Sequence, residues 1–326
     1  MTSRLKMHTG HLLSHNRNPS QTTSTLTSHD NLDHSVQNNS SQNKTLLRGA
    51  ASLIIWGGVD NKTSPTVDEE ALNAWWTNEH LPERLAIPGF LRTRRYYTQS
   101  HSHSHSQSQS QSSSSSHYLV WYEVSSLSTL TSPAYMSALD NPTTNTRHFM
   151  PLLASMNRSA CRLVYSTTRP ELLVNTGAGS TLAHIVFQPP SSSQTHRQKL
   201  RSWIVDAAWS ATLAPFPTAL ALHFFEHDEH ATGAGSSTRS YEAVRFQEDS
   251  RASRRTEDNT ATTPPNSTST STSGGRWMLL VEFAEPLGAP FGKAQVITDS
   301  IKQHIEALHA DNVQARLYGL ICALAV

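Results

Sequence analysis

The chain has 326 residues and a formal net charge of +1, and only 36% of it is hydrophobic and 16% charged, with a mean hydropathy of −0.46. A near-neutral balance removes the electrostatic case for nucleic acid or a membrane surface as partner, and no apolar run approaches the length of a membrane span. Two cysteines, Cys161 and Cys322, do not make a disulfide framework, which favours an intracellular, cytoplasmic protein.

The low hydrophobic fraction is that of a normal core diluted by polar, uncharged inserts. Residues 1–48 are rich in Ser, Thr, Asn, Gln and His and read as a disordered polar tail. Arg4, Lys6 and Arg17, with no acid before Asp30, also have the composition of a mitochondrial presequence; a secretory apolar region is lacking. Structure is expected from residue 52, with a strand at 53–56 ending on Gly57 and Gly58. A helix follows over 67–81, opened by Thr66 and Glu69 at capping-box spacing and stopped by Pro82. Leu72, Trp76 and His80 fall at i, i+4 and i+8 and share its buried face. A strand at 90–98 places Arg92, Arg94 and Tyr96 on one side with Phe90. The His/Ser/Gln repeat at 100–116 reads as a low-complexity hairpin loop, and its alternating histidines have nothing to fix a metal geometry. A strand at 117–124 turns Leu119, Trp121 and Glu123 to one face; helical pieces at 126–139 and 143–156 and a strand at 160–166 close the unit.

The element order of this half is β-α-β-β-α-β, that of a ferredoxin-like unit with one open sheet face. The second half reads as a degenerate copy: strands at 181–187 and 218–225, a strand at 241–246 extending or pairing with the latter, strands at 276–283 and 313–323, and helices at 196–209 and 290–310. The expected fold class is therefore α+β, two tandem ferredoxin-like units packed as an intrachain dimeric-α/β-barrel-type domain. The expected domains are the tail at 1–48, a first unit at 49–170 with a loop at 99–117, and a second unit at 178–326 with a polar insert at 248–275. Two units in one chain make an intrachain pseudo-dimer and leave a homodimer open. The barrel interior, or the cleft between sheet and helices, is the expected small-molecule site.

One stretch carries a resemblance. Trp76, Glu79, His80, Pro82 and Arg84, followed by Ile87–Phe90 and Arg94–Tyr96, resemble the EthD-like branch of the dimeric α/β-barrel superfamily, and the run from Thr131 to Tyr135 and from Asn141 to Arg147 resembles a second segment of those proteins. The resemblance covers about residues 52–166. It implies handling of a small molecule by a lyase or isomerase without a cofactor, acting by decarboxylation or dehydration of a cyclic, polyketide-type substrate. His80 would then be the acid/base group, and imidazole titrates near neutrality. A histidine at a helix end is equally explained by a hydrogen bond to a terminal carbonyl. A non-catalytic ligand-binding or interaction scaffold, and a haem- or quinone-type monooxygenase, are the alternatives.

Trp76, Tyr96 and Trp121 are candidate walls for a flat ligand, as are Trp56 and Tyr122, although core packing accounts for each. Arg94, or Arg147, is the candidate to hold a carboxylate. The run His223–His230 has metal-ligand residue types without a second cluster near it, so no metal is expected. After Trp209 the second half has Ser210 and Ala211 in place of Glu–His, so at most one site of the His80 type is expected.

Overall fold

The computed structural model describes residues 46–59, 68–100, 115–153, 155–173, 178–242, 244 and 275–326. All lie in one compact unit, Gln42–Val326. The tail, the body of the His/Ser/Gln loop, almost all of the 248–275 insert and the proposed cap Thr66 fall outside them.

The strands are β1 (Ala51–Gly58), β2 (Phe90–Ser100), β3 (Ser115–Val124), β4 (Ser155–Thr168), β5 (Thr181–Gln188), β6 (Ala219–His227), β7 (Trp277–Phe283) and β8 (Asp311–Ala325). They hydrogen-bond in the order β1-β3-β2-β8-β5-β7-β6-β4 and close into one barrel, every pair antiparallel. This corrects the expected fold class. The chain is not an α+β assembly of two ferredoxin-like units, because the strands of the two halves are hydrogen-bonded to each other at both edges and make one closed barrel. β2 bonds to β8 from Arg92↔Ala325 to Tyr97↔Gly319, and β4 bonds to β6 from Cys161↔His227 to Thr168↔Ala221. The ladder therefore runs unbroken around the ring and leaves no sheet edge. The description as a dimeric α/β barrel is overturned by the same pairings.

The alternation of side chains along the strands gives the barrel two faces. Ile54, Tyr96, Leu119, Trp121, Cys161, Leu182, Phe225, Met278, Leu280 and Tyr318 form the interior. An eight-stranded ring is just wide enough for side chains to fill. The opposite faces of the strands pack against helices in two outer layers. Ile55, Phe90, Tyr118, Val120 and Tyr122 lie with Leu72, Trp75 and Tyr135 in one layer, and Ile185, Phe187, Leu279 and Val281 lie with Leu200, Ile204, Ile297 and Ile301 in the other.

The first helical segment differs from expectation in a way that moves its side chains. Helix α1 (Glu69–Trp75) is capped by Asp68, whose side chain accepts from the Ala71 N–H. The chain then widens into a π turn, Trp76–His80, in which the Leu81 N–H donates to the Trp76 carbonyl. It continues as α2 (Leu81–Leu85), with Pro82 in its first turn. Pro82 does not stop the helix: a proline at a helix start has no N–H to lose, and the wide turn accommodates it. The helix over the second half repeats the device, with α5 (Gln194–Ser202) running into the π turn Trp203–Ala207. The remaining helices are α3 (Pro133–Asp140), α4 (Thr144–Phe149), α6 (Glu229–Ser236) and α7 (Ala294–Ala307), the last shorter than expected. Where a strand was expected at 241–246, Arg239–Tyr241 is a 3₁₀ turn and most of the remainder is outside the described residues.

Candidate functional site

The structure separates the side chains that the sequence proposes together. His80 and Trp76 lie outside the barrel, between helix and sheet. Arg94, Tyr96 and Trp121 lie inside it. The barrel wall divides them, and β2 carries an irregularity at its start, where the pairing jumps from Phe90↔Val124 to Arg92↔Glu123. One residue, Leu91, has no partner across β3, so Phe90 faces the outer layer while Arg92, Arg94 and Tyr96 turn inward. The expectation that Phe90 shares their side is corrected by this bulge.

His80 is buried, 4.9 Å from the Trp75 ring, and its Nδ1 has no hydrogen-bond partner. Burial, with the adjacent Arg84 charge added, holds its pKa well below the ordinary histidine value, so the ring is neutral. Trp76 packs on Tyr118 and under the Arg95 guanidinium. Glu79 points away from His80, as its place in the helix requires, and its two oxygens accept from Thr143 Oγ1 at 2.7 Å and Asn145 Nδ2 at 2.6 Å. The two stretches that carry the family resemblance thus meet through Glu79. Arg147 is exposed.

One end of the barrel interior is filled by charge. Arg94 Nη2 donates to Glu123 Oε1 at 2.5 Å and its Nη1 to Glu282 Oε1 at 2.7 Å, while its guanidinium lies 3.7 Å over the Trp121 ring. Arg92 Nε donates to the same Glu123 oxygen at 2.6 Å, and Trp121 Nε1 donates to Ser52 at 2.9 Å. His223 bridges Glu282 at 3.0 Å and Ser166 at 2.7 Å. Backbone covers the cluster: the Arg48 N–H donates to Glu123 Oε2, the Gly179 N–H to Glu282 Oε2, and the Leu46 carbonyl accepts from Arg92. The Arg94 charge, the His223 hydrogen bond and the Gly179 N–H overcome desolvation and hold the Glu282 carboxyl far below the usual range. Every charged member is at most 3% exposed, so Arg94 is an internal counter-ion and is not free to hold a ligand. Tyr96 is walled in beside it, its hydroxyl unpartnered and its pKa pushed up by burial.

The opposite end is open. A cleft of about 450 Å³ is lined there by Trp56, His117, Asn157, His184, Lys302, Arg316 and Tyr318, among others. His184 and Arg316 stand directly opposite each other on β5 and β8. His184 is buried, yet its Nε2 has no partner, and Nη1 of Arg316 is likewise buried and unpartnered. Trp56 meets His184 edge-on at 4.7 Å and Tyr318 lies 6.4 Å from it. Burial, followed by the Arg276 and Arg316 charges, pushes the His184 pKa down to about 3. Burial and Arg316 push His117 down to about 4. Both rings are therefore neutral near pH 7, and each keeps one nitrogen able to donate and one able to accept. His227, the last residue of β6, has its Nδ1 3.1 Å from Ser159 Oγ. His223 and His227 both face inward but answer to different partners, and among the described residues no group of three or more His, Cys, Asp or Glu side chains is placed to hold a metal.

Sequence reasoning missed His184, Arg316 and Tyr318. Their signal was present: His184 alternates with Leu182 and Val186, and Arg316 with Tyr318 and Leu320, so each polar residue shares the face of buried apolar ones. A strand that turns a charge to its apolar side is the unusual pattern.

No protein-family model matches the chain, and no curated protein matches it. Among solved structures, the chain is similar to a protein from Fusobacterium nucleatum subsp. nucleatum, provisionally called a monooxygenase, with a TM-score of 0.43 and 6% identity over 86% of this chain and 96% of that one. Among the described residues, no helix is long and apolar enough to cross a membrane.

Proposed function

We propose that the protein binds a small molecule in the open mouth of the barrel. One observation carries the reading: His184 and Arg316 stand in register on neighbouring strands and line the same cleft, and one nitrogen of each, Nε2 and Nη1, is buried without a partner. A buried polar group left unpaired costs about 1–3 kcal/mol, and two of them on residues that line one concave space are explained by a ligand that completes them. The cleft volume lies within the range of small-molecule sites, about 300–1,000 Å³. Of the readings drawn from the sequence, this is the binding one. Acid/base work by His80 has its unpartnered Nδ1 in its favour, but His80 does not line the cleft.

The test is a ligand-observed NMR screen of mono- and bicyclic aromatic fragments against the full chain and against the His184→Phe/Arg316→Met double variant. Binding to the wild type that is lost in the variant supports the site. Fragments that bind both proteins equally would place the binding elsewhere and sink the reading.

A further inference from the structure

The two ends of the barrel treat charge differently, and the difference names a ligand class. At the closed end two guanidiniums, Arg92 and Arg94, face two carboxylates, Glu123 and Glu282, and the positive charge is matched within the protein. At the open end the charged and titratable lining consists of Arg316 from β8, Lys302 from α7, His117 from β3, His184 from β5 and Tyr318 from β8. No carboxylate lines this cleft among the described residues. The Arg276 guanidinium, at the entrance to β7, lies 5.6 Å from the Trp56 ring centroid. Asp228, next to His227 at the end of β6, does not line the cleft, and its Oδ1 accepts from the Ala231 N–H.

A cation whose buried nitrogen has no internal counter-ion attracts an anion strongly, because the surrounding medium is less polarisable than water. A guanidinium and an imidazole N–H side by side match the two oxygens of a carboxylate. Trp56 and Tyr318, whose rings lie 4.7 and 6.4 Å from that of His184, supply flat apolar surface for a ring attached to that carboxylate. We propose that the mouth selects a planar aromatic carboxylate, its two oxygens taken by Arg316 Nη1 and His184 Nε2 and its ring lying against Trp56 and Tyr318. The inference rests on the mouth being the binding site and adds the charge and shape of what binds.

The probes are 2-naphthoate and its neutral analogue 2-naphthamide, measured by isothermal calorimetry on the full chain at pH 7. The two differ in charge and hardly in shape. The expected result is naphthoate binding at least about tenfold tighter, equivalent to about 1.4 kcal/mol, with the preference abolished in Arg316→Gln. A second measurement needs no variant: raising salt from about 0.05 to about 0.5 M weakens naphthoate and leaves naphthamide unchanged, since only the charged pair is screened. If both probes bind equally in the wild type and both are lost in the His184→Phe/Arg316→Met variant, the site stands and the anion selectivity is overturned. If neither probe binds, or both bind that double variant unchanged, the proposal and the site reading beneath it both fall.

Discussion

Replacing Glu282 by glutamine removes one charge and almost no volume from the closed end of the barrel. In the native protein its Oε1 takes hydrogen bonds from Arg94 at 2.7 Å and His223 at 3.0 Å, and its Oε2 takes the Gly179 N–H at 2.8 Å. A glutamine can offer an acceptor oxygen to one of these positions only; at the other, its NH₂ faces a donor. If the NH₂ meets Arg94, two donors collide and the guanidinium keeps only Glu123. If it meets Gly179, a buried backbone N–H is orphaned. The His223 ring can relieve part of the damage by moving its proton to Nδ1, which Ser166 Oγ can then accept, but neither other donor can adapt. In every arrangement two guanidiniums remain against one carboxylate in a site at most 3% exposed. Removing one partner of a buried pair costs about 3–5 kcal/mol, and we expect Glu282→Gln to fall in that range. The control is Glu226→Gln, which breaks the pair with Arg201 on the half-exposed outer surface and should cost no more than about 1 kcal/mol. Urea unfolding followed by tryptophan fluorescence reads both, and Trp121, stacked on Arg94, reports the site itself. Equal midpoints for the two variants, at equal slope, would mean that the buried network does not hold the barrel end together, and the account of that end would be wrong.

Three further outcomes follow from the same geometry. Stability should fall as pH drops from about 6.5 to 4.5: the unfolded chain takes up a proton at His184 near the ordinary value, while the folded one does so only near 3. The unfolded state therefore binds more protons across this window, at up to about 1.4 kcal/mol per pH unit from His184 alone, and the depressed His80, His117, His223 and His227 add to the slope in the same direction. The depressed carboxyls of Glu123 and Glu282 lose their contribution only below the ordinary value of 4.5. Urea midpoints at the two pH values, compared with those of His184→Phe, would contradict this if the wild type showed no decline or the variant showed the same one. His80→Ala should cost about 2–4 kcal/mol by opening a cavity beside Trp75 and leave 2-naphthoate affinity unchanged; lost affinity at full stability would return His80 to the site. Gly89 adopts φ +92°, and a Cβ there would meet the Thr129 side chain at 2.8 Å. Gly89→Ala should therefore lower the urea midpoint by the equivalent of about 1–3 kcal/mol, and an unchanged midpoint would show that the turn into β2 is not under this constraint.

Strand positions were readable from alternation because burial on one or both faces writes itself into the residue pattern. Thr181–Gln188 and Trp277–Phe283 match their expected ranges to a residue. What bonded to what was not readable. The pairs that close the ring, β2 with β8 and β4 with β6, join segments far apart in sequence, and no local pattern encodes an edge that another edge will cover. The bulge at Leu91 was hidden for a related reason: one unpaired residue reverses the facing of Phe90 relative to Arg92 without any change of residue type that marks it. That reversal parts Phe90 from Arg92, Arg94 and Tyr96, while the barrel wall parts all three from His80 and Trp76 on the outer helix. Pro82 misled because a proline that ends one helix and a proline that begins the next look alike in sequence. Arg94 was picked out as the group to hold a ligand's carboxylate; the carboxylates it holds are the protein's own.

The asymmetry of the barrel's ends has a consequence for how this chain can vary. The links from β1 to α1, from β2 to β3 and from β6 to β7 all depart from and return to the end where Gly58, Ser115, His227 and Trp277 stand. The other end is tied shut by ions whose partners are spread over β2, β3, β6 and β7. Length and composition can drift at one rim while the opposite floor keeps the staves together. With the mouth binding as proposed, folding and recognition fall to separate ends of one cask, and a new taste in ligands can be acquired without reopening its base.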